Sequence, residues 1–485
     1  MSDGTGSAPT EPPPTSGPGP VAAAPAPVDT AAPASPPDPT ELLKSKSYLQ
    51  LLVLAAVIGV PVSAVAYGYL ALVSKLQHWI FQSLPQGLGF HGTPVWWPVP
   101  ILLLAGVLVS FTITYLPGNS GHEPALGFQT GGAPLPIELP GVILASLATL
   151  SLGVVLGPEA PLIAIGGGLG ALAVKLAAKD APPMATTVMA AAGSFAAIST
   201  LLGSPILGAF LLMEAAGLGG PILGLVLVPG LLAAGVGTLV FVGLDNLTGL
   251  GTFSLAIPGI PVFNHPTVAL LLWAVAMGVI ATFIGTAIRL GGLAAQSLVL
   301  KRRLVWTPVA GLVVAGAVIA FVEITGKSAQ NVLFSGQDAL PGLVLQASTW
   351  TVGALVVLVI AKSVAYSVSL SAFRGGPIFP AMFVGGAIGA AAAHLPGMVL
   401  VPAVAMGIGA TTTVMLRLPL TSTLLAVLLF ASDGLSVTPL VIVAVVVAYV
   451  LTARMPQKPS DLRRAPATAV PTPAPSVPPA AAGAG

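Results

Sequence analysis

The chain has 485 residues, of which 55% are hydrophobic and only 7% charged, with a net charge of +2. Soluble domains carry about a quarter charged residues, so this composition excludes a large globular enzyme and points to a polytopic membrane protein. The absence of cysteine excludes disulfides, thiolate metal sites and cysteine nucleophiles, and the small, scattered positive charge gives no nucleic-acid partner.

Residues 1–46 are mostly Pro, Ala, Ser and Thr and are expected to form a disordered tail, with neither the basic n-region nor the early apolar core of a cleaved signal peptide. Residues 456–485 are the same kind of material. Between them one membrane transport domain is expected over 47–455, in halves of about 47–242 and 264–455. Its first half predicts helices at roughly 47–80, 95–116, 137–155, 158–178, 184–202, 204–218 and 221–242. The second half predicts them at roughly 264–300, 304–323, 341–372, 378–395, 400–415, 419–432 and 436–454. Several are shorter than the ~20 apolar residues of a perpendicular crossing, and others must tilt. Short segments that begin at Gly-Pro imply broken helices, tolerated where the free backbone ends line a cavity or are buried in protein.

Basic residues set an expected orientation. Lys44 and Lys46 precede the first span, Lys301, Arg302 and Arg303 follow a long one, and Arg454, Lys458, Arg463 and Arg464 follow the last. The positive-inside rule places all three groups, and both termini, in the cytoplasm of a multi-pass plasma-membrane protein.

Two stretches share one pattern: "GPEAPLIAIGGGLG" from Gly157 and "GPIFPAMFVGGAIG" from Gly376, 219 positions later. A second pair, "GSFAAISTLLGSPILGAFLL" from Gly193 and "GIGATTTVMLRLPLTSTLLA" from Gly407, keeps Gly 12 positions before Pro205 and Pro419. Fixed Gly and Pro positions in both halves mark a transporter-type internal repeat, with substrate near the midplane between them. The match alone leaves parallel and inverted orientation open.

Pro158 and Pro377 suit the first position of a helix, and Gly157 and Gly376 before them allow close approach of backbone or ligand. The following amides, on Glu159 and Ala160 and on Ile378 and Phe379, have no intrahelical acceptor. In hydrocarbon they need a partner, and the helix dipole favours an anion. Two such ends meeting near mid-membrane form an anion site without a lysine or arginine, which would bind too tightly for release. Only the first copy carries an acid. Glu159 can occupy the anion's seat itself and leave it when protonated or displaced, which makes it a gate.

These residues resemble the CLC chloride channels and proton-coupled chloride exchangers, across the whole membrane domain. "GPEAP" (157–161) is similar to that family's G-[KR]-E-G-P, "GGPIFP" (375–380) to its G-x-F-x-P, ending in Pro380, and "LRLPLTS" (416–422) to its R-[AL]-P-L-T. "GNSGHEP" (118–124) is similar to its G-S-G-x-P loop. The resemblance implies an all-α fold with a CLC-like inverted repeat of tilted and broken helices, and a homodimer with one pore per subunit. It implies chloride or a similar monovalent anion as cargo, Glu159 as the gating glutamate and Ser120 as a chloride contact. No cofactor or metal is expected, and no C-terminal nucleotide-binding domains.

The sequence also departs from the family. Pro158 replaces the basic residue before the gate, and Pro377 removes one amide donor, leaving Ile378 and Phe379 to carry more. The inner glutamate of the exchangers matches Ala215, with Glu214 one position earlier as the candidate proton route. No tyrosine follows the last span to serve as the family's pore tyrosine. Passive channel and proton-coupled antiporter both stay open, with weak coupling expected. Arg374 reads equally as a mouth residue or an interfacial anchor, Arg417 as structural or mouth-lining, and His122 and Glu123 as loop residues at the water boundary. "GNSG" also fits the nucleophile motif of an intramembrane serine protease, but that chemistry needs a histidine beside the serine and leaves both Gly-Pro stretches unexplained. The expected activity is therefore transport rather than catalysis.

Overall fold

In the computed structural model the described residues are 43–128, 132–177, 180–217, 220–249, 257, 259–260, 263, 265–430 and 434–455. The two expected tails, apart from residues 43–46, lie outside them.

The first half runs through α1 (Lys46–His78), α2 (Pro98–Tyr115), α3 (Leu139–Ser151), α4 (Glu159–Ala177), α5 (Pro183–Leu202), α6 (Pro205–Ala216) and α7 (Gly220–Thr248). The second runs through α8 (Val268–Val299), α9 (Arg303–Thr325), α10 (Ala339–Leu345), α11 (Val352–Ala372), α12 (Ile378–Ala392), α13 (Leu400–Leu416), α14 (Pro419–Leu429) and α15 (Gly434–Arg454). Among the described residues nine helices are long and apolar enough to cross a membrane, while α3, α6, α12, α13 and α14 are apolar but shorter. Their starts are written locally. Ser45, Ser204, Thr267 and Thr351 each accept an amide from the first turn of α1, α6, α8 and α11. Proline opens α2, α5, α6 and α14, where its missing N–H costs nothing.

The two halves pack alike. α4 lies on α5 as α12 lies on α13, α5 on α7 as α13 on α15, and α1 on α7 as α8 on α15. Apolar burial does not drive helices together in lipid, so close backbone approach must. A Cβ at Gly166 would overlap the Gly193 carbonyl, and one at Gly385 the Gly407 carbonyl. Gly170 meets the Met189 carbonyl in the same way, and Gly389 the Ala403 carbonyl. Each contact of the first half recurs between the matching residues of the second.

Orientation follows from the point where the halves touch. The Gly157 amide donates to the Gly376 carbonyl at 2.8 Å, and the Gly376 amide donates back to Gly157 at 2.6 Å, as an isolated antiparallel bridge. Reciprocal bonds between equivalent residues running oppositely are what a local two-fold axis produces, and the repeat is inverted.

Most boundaries agree within four residues, and three differ by more. The expected helix over 341–372 is two, because the chain turns through a 3₁₀ segment at Ala347–Thr349 before Thr351 caps α11. α1 continues through a π turn at Trp79–Ser83 into a short helix ending at Gly87, and α7 runs on to Thr248.

Candidate functional site

α4 and α12 begin on either side of the Gly157–Gly376 bridge. Glu159, the first residue of α4, is fully buried, and its Oε1 accepts the amide of Phe379 in the first turn of α12 at 2.8 Å. Ile378, the first residue of α12, is fully buried next to Phe379. Among the described residues the Glu159 Oε2 has no hydrogen-bond partner. The glycines shape this seat: a Cβ at Gly157 would overlap both carboxylate oxygens, and one at Gly376 would overlap Oε2. Pro158, Pro161, Pro377 and Pro380 are all buried around it.

Two cavities approach this seat. One, of about 280 Å³, is lined by Leu156 and Pro158, the end of α1 at Gln77 and His78, and the loop after α9 from Phe334 to Asp338. Burial there raises the Asp338 carboxyl above its ordinary value. The other, of about 880 Å³, is lined by Asn119, Ser120, Gly121 and His122 after α2 and by Ala160 and Ala164 of α4. They lie at opposite ends of α2. Trp97, just before α2, donates from its indole to the Ile80 carbonyl beside the first cavity, and α2 then runs an apolar crossing's length to the loop of the second.

Ser120 is buried with φ 52, a left-handed conformation that turns its hydroxyl back to the Thr112 carbonyl at 3.3 Å. It shares a tight void with Ala160 and Arg374. Ser120 and Ala160 therefore lie on one side of the seat, while Phe379 meets the glutamate itself. The His122 ring bonds the Gly127 carbonyl at 2.6 Å, so it turns toward its own loop backbone. Glu214 lies elsewhere. Its carboxylate accepts the Leu420 amide at 2.9 Å and the Thr421 amide and hydroxyl at 2.7 Å each, capping the start of α14. The large cavity is lined by Leu212 and Ala216 of the same helix rather than by Glu214.

One face of α11 went unread in the sequence. Lys362, fully buried, donates to the Val332, Leu333 and Phe334 carbonyls at 3.0 Å each, and its ammonium lies 4.6 Å from the Phe383 ring centroid. One turn on, the Tyr366 hydroxyl donates to the Pro377 carbonyl at 2.7 Å. Ser369 accepts the Val155 amide at 3.2 Å. Three residues at helical spacing thus hold the loop after α9, the second helix start and the first. A lysine inside an apolar 21-residue helix is itself the signal that could have found this face. Tyr366 spends its hydroxyl on backbone, and the region after the last span, where the sequence has no tyrosine to match the family's, lies almost wholly outside the described residues.

Comparison with known proteins agrees with this architecture. A family model described as voltage gated chloride channel matches residues 129–453. YfeO of Salmonella choleraesuis (strain SC-B67), assigned to ion transport by name only, is 30% identical over 351 residues, covering 71% of this chain and 81% of that one. YfeO of Salmonella paratyphi A is 29% identical over the same length. Among solved structures, a slow cyanobacterial Cl-/H+ antiporter superimposes with TM-score 0.69 at 19% identity, over 85% of this chain and 96% of the other. A CLC-type fluoride/proton antiporter superimposes with TM-score 0.62 at 18% identity, over 84% and 96%.

Proposed function

The chain belongs to the voltage gated chloride channel family, and from that membership we propose that it conducts chloride or a similar monovalent anion through a pore in each subunit of a homodimer, gated by Glu159. One observation carries the reading. The carboxylate of one half is seated on the Phe379 amide of the other, between two cavities that approach it separately. A carboxylate there occupies the place a permeant anion would take, and the two exclude each other. Protonation or displacement of Glu159 frees the Phe379 amide, and the anion passes.

Arg303 lies on the face of the large cavity, joined to Glu123 at 3.8 Å. With the basic residues of that face inside, both termini are cytoplasmic and the large cavity is the inner vestibule. Residues 47–455 act as the transport domain, without enzymatic chemistry.

Both structural neighbours are described as proton antiporters, and at their low identity they inform the fold alone. Glu214 is committed to capping α14, which supports weak proton coupling over tight exchange. Reconstitution in liposomes under opposed chloride and proton gradients tests the whole reading. The expected result is chloride flux with little uphill proton movement. Pumping at a fixed ratio would establish an antiporter, and the absence of flux would end the transport proposal.

A further inference from the structure

Tyr366 is fully buried on α11, and its hydroxyl donates to the Pro377 carbonyl at 2.7 Å. The Ala381 amide, which closes the first turn of α12, reaches the same oxygen only at 3.4 Å. At the other helix start the corresponding bond, from the Leu162 amide to the Pro158 carbonyl, is 3.0 Å. Leu147 stands there in the place of Tyr366, 219 positions earlier in the same ungapped match. The two copies are thus unequal twice over: the first carries the acid and the second carries the phenol.

The phenol acts on a short supply of donors. Pro377 and Pro380 have no N–H, and the Ala381 amide turns back to Pro377, so the start of α12 offers the amides of Ile378 and Phe379. Phe379 donates to Glu159. Ile378 shares one peptide unit with the Pro377 carbonyl. That unit is planar and trans, so a carbonyl pinned on one side fixes the N–H on the other. Pro377 has helical angles, φ -91 and ψ -4, which send its carbonyl up α12 and the Ile378 N–H out of the helix start. A hydrogen bond to the carbonyl also polarises the unit, and bonds chained in this way strengthen one another by about 10–30% each.

We propose that Tyr366 sets the anion preference of this seat: by pinning and polarising the Pro377–Ile378 peptide it keeps the second helix start a strong donor, which favours chloride over larger, weakly hydrated anions. The inference rests on the transport reading above and names a residue that tunes its selectivity. Tyr366 does not touch the ion and is a positioning residue, acting through the Ile378 amide. Chloride gives up more hydration than thiocyanate or iodide on entering the seat, and only a strong field from the coordinating dipoles offsets that loss. Weaker donors move the order toward the large ions.

The test compares anions in liposomes that hold the full-length protein. Tyr366→Phe keeps the ring and removes only the hydroxyl. The chloride-to-thiocyanate flux ratio should fall about threefold or more, and calorimetric chloride binding in a Glu159→Gln background should weaken by about the same factor. Replacing Tyr366 by 3-fluorotyrosine, whose hydroxyl is a stronger donor, should move both measurements the opposite way. Opposite shifts separate a residue that tunes the field from a brace, since loosening a brace lowers stability and total flux without reordering the anions. An unchanged order and an unchanged chloride affinity in Tyr366→Phe would overturn the proposal, while chloride flux in the parent would leave the transport reading standing. If Tyr366→Phe does not fold, the fluorotyrosine protein decides by the same two measurements. Should neither the parent nor Glu159→Gln move or bind chloride, the transport reading fails and this inference falls with it.

Discussion

Glu159 and Phe379 are 220 residues apart, yet the carboxylate of the first accepts the amide of the second at 2.8 Å. That bond ties the single acid of the repeat to the helix start that lacks one. It also uses a donor that an anion would otherwise take. In Glu159→Gln the side chain is fixed in the uncharged state that protonation produces. Chloride efflux from liposomes is expected to rise with acidity in the parent and to stay flat and high in the variant. An efflux in Glu159→Gln that kept the parent's pH response would place the gate elsewhere.

The seat depends on glycine. In Gly376→Ala the new Cβ would overlap Glu159 Oε2, so the carboxylate must leave or the two helix starts must part. Overpacking of this kind costs about 1–3 kcal/mol. We expect lower thermal stability together with flux that is raised and less sensitive to pH. Gly316→Ala, in the middle of α9 with nothing within 4 Å of its Cβ, is the control. It should leave flux untouched and stabilise by up to about 1 kcal/mol.

Much of this architecture is legible in the sequence, because lipid permits few solutions. Helix starts such as Pro158 and Pro205 are written in proline, and the contacts of Gly166 and Gly193 in small residues that recur at Gly385 and Gly407. Orientation is not written there, since it appears only where Gly157 meets Gly376. The bracing face of α11 depends on which way Lys362, Tyr366 and Ser369 point and on loops remote in sequence. Arg374 is visible as a charge near a helix start, but its bond to the Asn119 carbonyl, 255 positions away, is not. The split of 341–372 is legible after the fact: residues 346–351, QASTWT, are mostly polar and carry the turn between α10 and α11.

Lys362 fastens the loop after α9 across the small cavity. Replacing it by Met keeps the volume and strands three carbonyls, each costing roughly 1–3 kcal/mol when left unpaired in the interior. Release of the buried charge offsets part of this, so the loop loosens rather than the whole fold. Trypsin should then cut after Lys327, inside that loop, markedly faster in Lys362→Met than in the parent, while the rest of the chain stays protected. Equal cleavage rates would show that the loop is held by its apolar contacts.

Glu214 presents a choice between two roles with different signatures. As a cap it accepts two amides and a hydroxyl from α14, and Glu214→Ala should cost about 1–2 kcal/mol of stability. Glu214→Gln keeps an acceptor, loses less, and is expected to leave the small chloride-driven proton movement unchanged. Loss of that movement in a well-folded Glu214→Gln protein would make the residue a proton carrier.

The inverted repeat makes a prediction of its own at the breaks before Pro205 and Pro419. Gly203 ends α5 in a left-handed conformation at φ 62, and Arg417, its counterpart 214 positions later, ends α13 at φ 59. Glycine takes this conformation freely, whereas an L-residue pays about 1–2 kcal/mol. Arg417 therefore holds a strained shape that its own half imposes, and among the described residues its Nη2 gains no hydrogen bond there. In Arg417→Gly the strain is relieved, against about 0.5–1 kcal/mol for the extra freedom of glycine in the unfolded chain. The net change should be neutral to slightly stabilising, while Gly203→Ala should destabilise by about 1–2 kcal/mol. Thermal unfolding of both variants in detergent reads the two signs directly. A loss well beyond that in Arg417→Gly would mean that the arginine side chain holds α13 and α14 by contacts worth more than its backbone strain.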